Sequence, residues 1–178
     1  DNLLSWALLN RGMIPYQPEP LSLATEVRNN FEIHEHAALA KDIRLESHIP
    51  EDAMVQADRN ALQTILRNLI GNAIKFTPPG GHVSIRSEVQ QGMTLLRVND
   101  TGAGIAAEKI PQLFTLDKRS EHGTAGEKGA GLGLLLCKEL AELKTIAWTT
   151  RAAPCRCTAR STNTPPRTRS MVTTRMPS

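Results

Sequence analysis

The chain has 178 residues, which is enough for one domain of ordinary size with short flanking segments. Its net charge of +3 is unevenly distributed, because residues 144–178 contain seven basic and no acidic residues, whereas residues 1–143 carry a net charge of −4. The three cysteines have the spacing of neither a disulfide framework nor a four-ligand zinc site, and no stretch approaches the roughly 20 apolar residues of a membrane-spanning helix. We therefore expect a cytoplasmic domain with reduced thiols.

The first part of the chain predicts the end of a helix, a linker and the start of an α/β domain. Residues 1–11 have the pattern of the last turns of an amphipathic helix, and the proline-rich segment that follows, up to residue 20, predicts a linker. Ser22 is a good N-cap for a helix that runs to about Lys41. Short strands are predicted at 43–49 and 54–57.

The second part of the chain predicts a long helix, a hairpin and a final helix. The elements are a helix at 59–76 with Asp58 as its N-cap, strands at 83–89 and 94–99, a short helix at 106–114, a mobile loop at 115–130 and an apolar helix at 132–143. Beyond about Thr150, no alternation of apolar and polar residues indicates a further strand.

The helix at 59–76 has an apolar stripe and a separate polar one. Asn68, Asn72 and Lys75 recur at helical spacing on a face about 120° from the apolar stripe. An asparagine oxygen is a hard, neutral ligand that suits Mg²⁺, and a lysine one turn further on suits phosphate. Gly71 leaves room for a ligand beside them. Taken alone, this pattern is also that of an ordinary solvated helix face.

A glycine loop follows the predicted strand at 94–99. In residues 100–105, DTGAGI, the glycines allow a tight turn, and the ionised Asp100 can accept a hydrogen bond from an exocyclic amine. Gly102 and Gly104 also fit the dinucleotide fingerprint G-x-G-x-x-A. That fingerprint requires a helix and then a parallel strand within about 30 residues, whereas the helix predicted at 106–114 leads into a glycine-rich, charged loop with no predicted strand.

A second glycine-rich segment, residues 123–133, leads directly into the last predicted helix. The free N–H groups at a helix start, together with the positive end of the helix dipole, attract phosphate, and glycines let it approach closely. The Gly-Lys-Ser/Thr order of a P-loop is absent, so this segment predicts a different kind of phosphate site.

These segments resemble the motifs of sensor histidine kinases, in the same order and with matching spacing, over about residues 1–143. Residues 68–77, NLIGNAIKFT, resemble the N box, 100–104, DTGAG, the first glycine box, 113–114, LF, the F box, and 129–134, GAGLGL, the second glycine box. The resemblance implies an α/β fold, a two-layer sandwich of a mixed, mostly antiparallel sheet and three helices. It also implies three regions: the end of a dimerisation helix with its linker (1–20), an ATP-binding catalytic domain (21–143) and an atypical basic tail (144–178).

The resemblance implies a role for each matching residue. Asn72 would hold Mg²⁺, and Asn68 would help to place the ion and act as the catalytic residue that polarises the transferring phosphoryl group. Lys75 would meet phosphate, Phe76 would lie against the adenine and Asp100 would accept a hydrogen bond from the adenine amine. The full set of residues implied to bind ATP is Asn68, Asn72, Lys75, Phe76, Asp100, Gly102, Gly104, Ile105, Phe114, Lys128, Gly129, Ala130, Gly131, Leu132 and Gly133.

The implied function is transfer of the γ-phosphoryl group of Mg-ATP to a histidine on a separate dimerisation domain of a homodimeric parent protein, from which a response regulator would receive it. His34 is a poor candidate for that histidine, because it lies in the helix predicted after Ser22. The alternative is a slow ATPase or nucleotide-sensing module of the same superfamily without a histidine target. Those relatives use a glutamate base where this chain has Asn68. The sequence leaves open whether the parent protein is bound to a membrane.

The segment after the last predicted helix departs from the family pattern. In the family, that helix leads through a glycine pair into two strands that close the sheet, whereas here an arginine-, threonine- and proline-rich segment follows. We therefore expect the closing strands to be absent or deranged, and residues 144–178 to be disordered or the product of an altered reading frame. The alternative is a basic tail that binds nucleic acid or an acidic membrane surface, as arginine clusters do. No aromatic residue follows Trp148, so no nucleic-acid partner is expected.

Overall fold

The computed structural model describes residues 17–90, 93–115, 123–127, 132–143, 147–154 and 168–177. In chain order, the elements are β1 (Pro18–Ser22), α1 (Leu23–Leu39), β2 (Arg44–His48), β3 (Met54–Asp58), α2 (Arg59–Phe76), β4 (His82–Gln90), β5 (Met93–Asp100), a 3₁₀ helix (Ala107–Gln112), α3 (Gly133–Leu143), β6 (Ala147–Pro154) and β7 (Thr168–Pro177). The predicted helix at 1–11 lies outside the described residues. Within the described part of the chain, no helix combines the length and the apolar character needed to cross a bilayer.

The two long helices begin at side-chain caps. Ser22 Oγ accepts a hydrogen bond from the Thr25 N–H (3.3 Å), and Asp58 Oδ1 accepts one from the Ala61 N–H (2.9 Å). Each cap satisfies a backbone donor that has no partner within the helix. The apolar stripe predicted for α2 is buried; its members are Leu62, Leu66, Leu69 and Ala73.

The main sheet has five strands in the order β2-β4-β5-β7-β6, with β2 parallel to β4 and all other neighbours antiparallel. A second antiparallel sheet of two strands joins β1 to β3. The helices and the main sheet share one apolar core, in which Leu62, Ile85, Leu96 and Leu136 are each no more than 1% exposed. The predicted two-layer α/β sandwich, with a mixed, mostly antiparallel sheet and three helices, is confirmed.

The prediction that the closing strands are absent or deranged is wrong. β7 pairs with β5 from Met93↔Pro177 to Asn99↔Met171, and β6 pairs with β7 over its whole length. The physical reason is that β5 is a buried strand, and its second edge needs hydrogen-bond partners as much as its first. The β-branched threonines and valine of β7 favour an extended backbone even without strict alternation. An altered reading frame as the origin of this segment stays a prediction.

Two smaller predictions also need correction. The segment predicted as a linker up to residue 20 contributes β1, in which Pro18 and Pro20 are tolerated because β1 is an edge strand. The short helix predicted at 106–114 is a 3₁₀ helix over 107–112 that contains Pro111.

Candidate nucleotide-binding site

The polar face of α2 carries the two amides predicted to bind a metal ion. Asn68 Nδ2 donates a hydrogen bond to Thr64 O (2.9 Å), one helical turn earlier, which fixes the plane of the Asn68 amide. The Asn72 side chain is half-buried and forms no hydrogen bond with any described residue. Two neutral amide oxygens one turn apart fit a magnesium ion that takes its other ligands from water and phosphate.

The first residue of α3, Gly133, lies directly against Asn68. A Cβ atom at Gly133 would be 2.6 Å from Asn68 Oδ1, closer than real Cβ atoms come to oxygen. Among the described residues, the first helical hydrogen bond here is the one that the Leu132 carbonyl accepts from the Leu136 N–H (2.9 Å). The structure therefore places the start of α3, the predicted phosphate site, beside the predicted metal-binding face of α2.

The first glycine loop contacts the C-terminal end of α2. Asp100 Oδ1 accepts a hydrogen bond from the Gly102 N–H (2.8 Å), and a Cβ atom at Gly102 would lie 2.6 Å from Phe76 O. Gly104 has a φ of +75°, which favours glycine over any side chain. The loop that carries Asp100 is thus held against the turn of α2 that carries Phe76, and both side chains are half-buried.

The last turn of α2 brings together the residues predicted to contact phosphate and adenine. The Lys75 ammonium nitrogen lies 4.9 Å from the centroid of the Phe76 ring, a distance at which a cation is attracted to an aromatic face. Ile105 and Phe114, both half-buried, lie on either side of the 3₁₀ helix in sequence. The four remaining predicted residues, Lys128, Gly129, Ala130 and Gly131, lie outside the described residues.

Sequence reasoning missed a group of polar residues at the same end of α2. Lys41 is only 7% exposed, and its Nζ donates hydrogen bonds to Ile74 O, Lys75 O, Thr124 Oγ1 and Glu127 Oε1. These partners lie 33 to 86 residues away in the sequence, so no local pattern could reveal them. The only available signal was a lysine at the predicted end of a helix.

The surroundings of three titratable groups perturb their pKa values. Partial burial acts to raise the pKa of Glu127, but backbone N–H groups of its own loop and the Lys41 ammonium outweigh this effect and hold it below its usual value. His82, and to a lesser extent His48, lower the pKa of Glu46 on β2. Burial raises the pKa of the Cys137 thiol far above its usual value, which makes it a poor nucleophile.

Two observations bear on the alternatives raised by the sequence. β5 is antiparallel to both of its neighbours, and the glycine loop leads into a 3₁₀ helix, so this loop is not part of a dinucleotide-binding βαβ unit. His34 is half-buried within α1, where its Nδ1 lies 2.8 Å from Asn30 O. That is the position of a structural histidine.

Comparison with known proteins adds independent observations. The sequence profile described as histidine kinase-, DNA gyrase B-, and HSP90-like ATPase matches residues 57–177. An uncharacterised sensor-like histidine kinase, R01002, of Rhizobium meliloti (strain 1021) is 37% identical over 145 residues, which are 80% of this chain and 28% of the relative. The sensor protein kinase PmrB of Pseudomonas aeruginosa is 36% identical over 143 residues, which are 80% of this chain and 30% of PmrB. The chain thus spans less than a third of either relative.

Solved structures show the same fold. The nucleotide-free catalytic domain of histidine kinase ThkA superposes with a TM-score of 0.72 at 23% identity, covering 90% of this chain and 95% of that domain. Full-length ShkA, solved in complex with AMPPNP, superposes with a TM-score of 0.75 at 24% identity, covering 99% of this chain and 34% of ShkA.

Proposed function

Because the chain belongs to the histidine kinase-, DNA gyrase B- and HSP90-like ATPase family, we propose that it is the ATP-binding catalytic domain of a two-component sensor histidine kinase. In this proposal it transfers the γ-phosphoryl group of Mg-ATP to a histidine on the dimerisation domain of the parent protein. A response regulator then receives the phosphoryl group. The relatives at 36–37% identity are named as sensor kinases, which supports this member of the family over the others.

The convergence of the two glycine segments on the polar helix α2 is the observation that carries the proposal. Gly133 lies against Asn68, and Gly102 lies against Phe76, at two levels of the same helix. The half-buried side chains of Asn72 and Lys75 lie between these levels in sequence. A nucleotide whose adenine lies near Asp100 and whose phosphates lie near the start of α3 would therefore follow the polar face of α2.

Different side chains along this face bind different parts of the nucleotide. Asp100 accepts a hydrogen bond from the adenine amine, since an ionised carboxylate is an acceptor only. Phe76 lies against the adenine ring, and Lys75 neutralises phosphate charge. The N–H groups at the start of α3 bind phosphate oxygens. The remaining residues of this proposed site are Gly104, Ile105, Phe114, Lys128, Gly129, Ala130, Gly131 and Leu132.

Asn72 and Asn68 would hold a magnesium ion in the proposed site. When bound, the ion neutralises charge on the phosphate oxygens of the nucleotide. Because Asn68 Nδ2 donates to Thr64 O of the helix backbone, Asn68 Oδ1 is directed away from that backbone, as a metal ligand must be. Phosphoryl transfer needs little covalent chemistry from the protein. The main contribution of these side chains is therefore to hold the nucleotide in position.

A slow ATPase without a histidine target is the competing assignment within the family. Hydrolysis needs a group that orients or activates water. The amide of Asn68 cannot accept a proton as a carboxylate can, which favours transfer to a protein histidine.

Substitution of Asn72 by alanine tests the site. The affinity of the variant for a fluorescent ATP analogue should fall about tenfold or more when Mg²⁺ is present, and much less when it is absent. Asn60→Ala is the matched control, because Asn60 is an exposed asparagine in the first turn of the same helix and should bind like the unmodified chain. Equal affinity of the Asn72 variant and the control would refute the metal assignment.

The reaction is tested separately with a dimerisation domain that carries its histidine. Mixing that domain with the chain and ATP labelled at the γ position should label the histidine, and the label should then pass to a response regulator. Release of labelled inorganic phosphate without any labelling of the histidine would favour the slow ATPase.

A further inference from the structure

The side chain of Lys41 joins three segments that are distant in sequence. Its ammonium group donates to the carbonyl oxygens of Ile74 (2.8 Å) and Lys75 (3.1 Å) at the end of α2. It also donates to Thr124 Oγ1 (2.7 Å) and Glu127 Oε1 (3.0 Å) in the loop at 123–127. A buried ammonium group is costly unless it is paired and hydrogen-bonded, and these partners meet that requirement.

The turn that presents Lys41 is itself well defined. The Asp42 and Ile43 N–H groups donate to the carbonyls of Leu39 and Ala38, the pattern of a Schellman motif that ends α1. Asp42 has a φ of +51°, as the residue after the cap of this motif requires. The Gly80 N–H also donates to Lys41 O (2.9 Å), so the backbone of Lys41 is tied to the turn that follows α2.

The loop at 123–127 is fitted closely to the end of α2. The Thr124 N–H donates to Lys75 O (3.0 Å), and Thr124 Oγ1 lies 2.8 Å from Thr77 O. A Cβ atom at Gly123 would lie 2.8 Å from Lys75 O, so only glycine fits there. Glu127 Oε2 accepts from the Ala125 N–H (2.9 Å), which directs the other carboxylate oxygen to Lys41.

We propose that Lys41 is a positioning residue for nucleotide binding, acting through Lys75 and through the loop at 123–127. By satisfying the last carbonyls of α2, it fixes the turn from which Lys75 and Phe76 project. By holding Glu127, it fixes the point from which the chain enters the proposed phosphate-binding segment. This inference rests on the proposed function of the site.

The hold on Glu127 matters because it fixes the loop at 123–127 on the end of α2 before a nucleotide binds. A loop that is already in place takes less of the binding energy of the nucleotide to order. The contact of Gly133 with Asn68 fixes a second point on the same helix.

Lys41→Met tests this role, because methionine keeps most of the apolar stem and removes the ammonium group. If undocking leaves about a tenth of the molecules competent to bind, the apparent Kd for a fluorescent ATP analogue rises about tenfold. Binding is measured well below the melting temperature, together with hydrogen exchange of residues 123–127 in the nucleotide-free chain. Both affinity and exchange protection should fall, and Lys41→Arg should restore part of each. Arg28→Met, at an exposed ion pair with Glu51, is the matched control.

A purely structural lysine would lower the melting temperature and leave the Kd of the folded protein unchanged, and that result would overturn the proposal. If Lys41→Met does not fold, Glu127→Gln tests the same contact from its more exposed side. Unchanged affinity for the ATP analogue and unchanged hydrogen exchange of residues 123–127 in that variant would equally overturn the proposal. Failure of the unmodified chain to bind the analogue would instead refute the proposed function. The exchange measurement without nucleotide would still report on the contact between Lys41 and the loop.

Discussion

Replacing Gly133 by alanine should separate nucleotide binding from folding stability. The new Cβ would lie 2.6 Å from Asn68 Oδ1 and 3.3 Å from Asn68 Cγ, so the amide has to rotate and give up its hydrogen bond to Thr64 O. Loss of one such bond costs about 0.5–1.5 kcal/mol. Alanine in place of glycine stabilises the interior of a helix by about 0.5–1 kcal/mol, and it stabilises the first residue of a helix, such as Gly133, by less. The two effects oppose each other, so the free energy of unfolding should fall by about 1 kcal/mol or less.

Nucleotide binding should respond more strongly than stability, because the displaced oxygen belongs to a proposed metal ligand. We expect the affinity for an ATP analogue in the presence of Mg²⁺ to fall about tenfold, which corresponds to about 1.4 kcal/mol. Calorimetric titration measures the affinity, and urea denaturation measures the stability of the same samples.

Gly71→Ala is the matched control for the Gly133 variant. It makes the same chemical change in α2. The expectation that Gly71 leaves room for a ligand is wrong, because a Cβ there would meet the His34 ring of α1, at 3.3 Å from Nε2, and not the Asn68 amide. This control should bind the analogue more tightly than the Gly133 variant does. A Gly133 variant that binds as tightly as the unmodified chain would refute the inferred contact between α3 and Asn68.

Two further predictions concern the turn and the loop that hold the end of α2. Asp42→Gly should raise the free energy of unfolding by up to about 1 kcal/mol in urea denaturation, because glycine adopts the φ of +51° without a Cβ clash; a loss of stability would contradict this. The lowered pKa of Glu127 means that its contribution to stability is complete above the usual glutamate range and is lost as the pH falls through the lowered value. Exchange protection at 123–127 should therefore decrease in acid in the unmodified chain, and Glu127→Gln should remove that pH dependence.

The α2 helix and its site face could be predicted because the responsible signals are local. Asp58 is an acceptor directly before the helix, and Asp58 Oδ1 does cap the Ala61 N–H. Pro78 follows the last turn and ends it. The two asparagines repeat at helical spacing, so their shared face follows from the geometry of a helix alone.

The role of Lys41 could not be predicted, because it depends on contacts between distant parts of the chain. Its acceptors on α2 and in the loop are 33 to 86 residues away. A lysine at a helix end is usually solvated, and nothing in the neighbouring sequence distinguishes a buried one. The burial of Lys41 arises only when α1, α2 and the loop at 123–127 are assembled.

The error over β6 and β7 came from judging strands by their own side-chain pattern. A strand is also selected by the edge that it pairs with, and β5 offers such an edge along Met93–Asn99. β5 ends at Asp100, the proposed adenine acceptor, which is paired with Val83 of β4 on its other side. Without β7, β5 would be hydrogen-bonded to one neighbouring strand instead of two. β7, which lies in the segment expected to be disordered, thus supports the position of Asp100, a site residue that the sequence alone predicted.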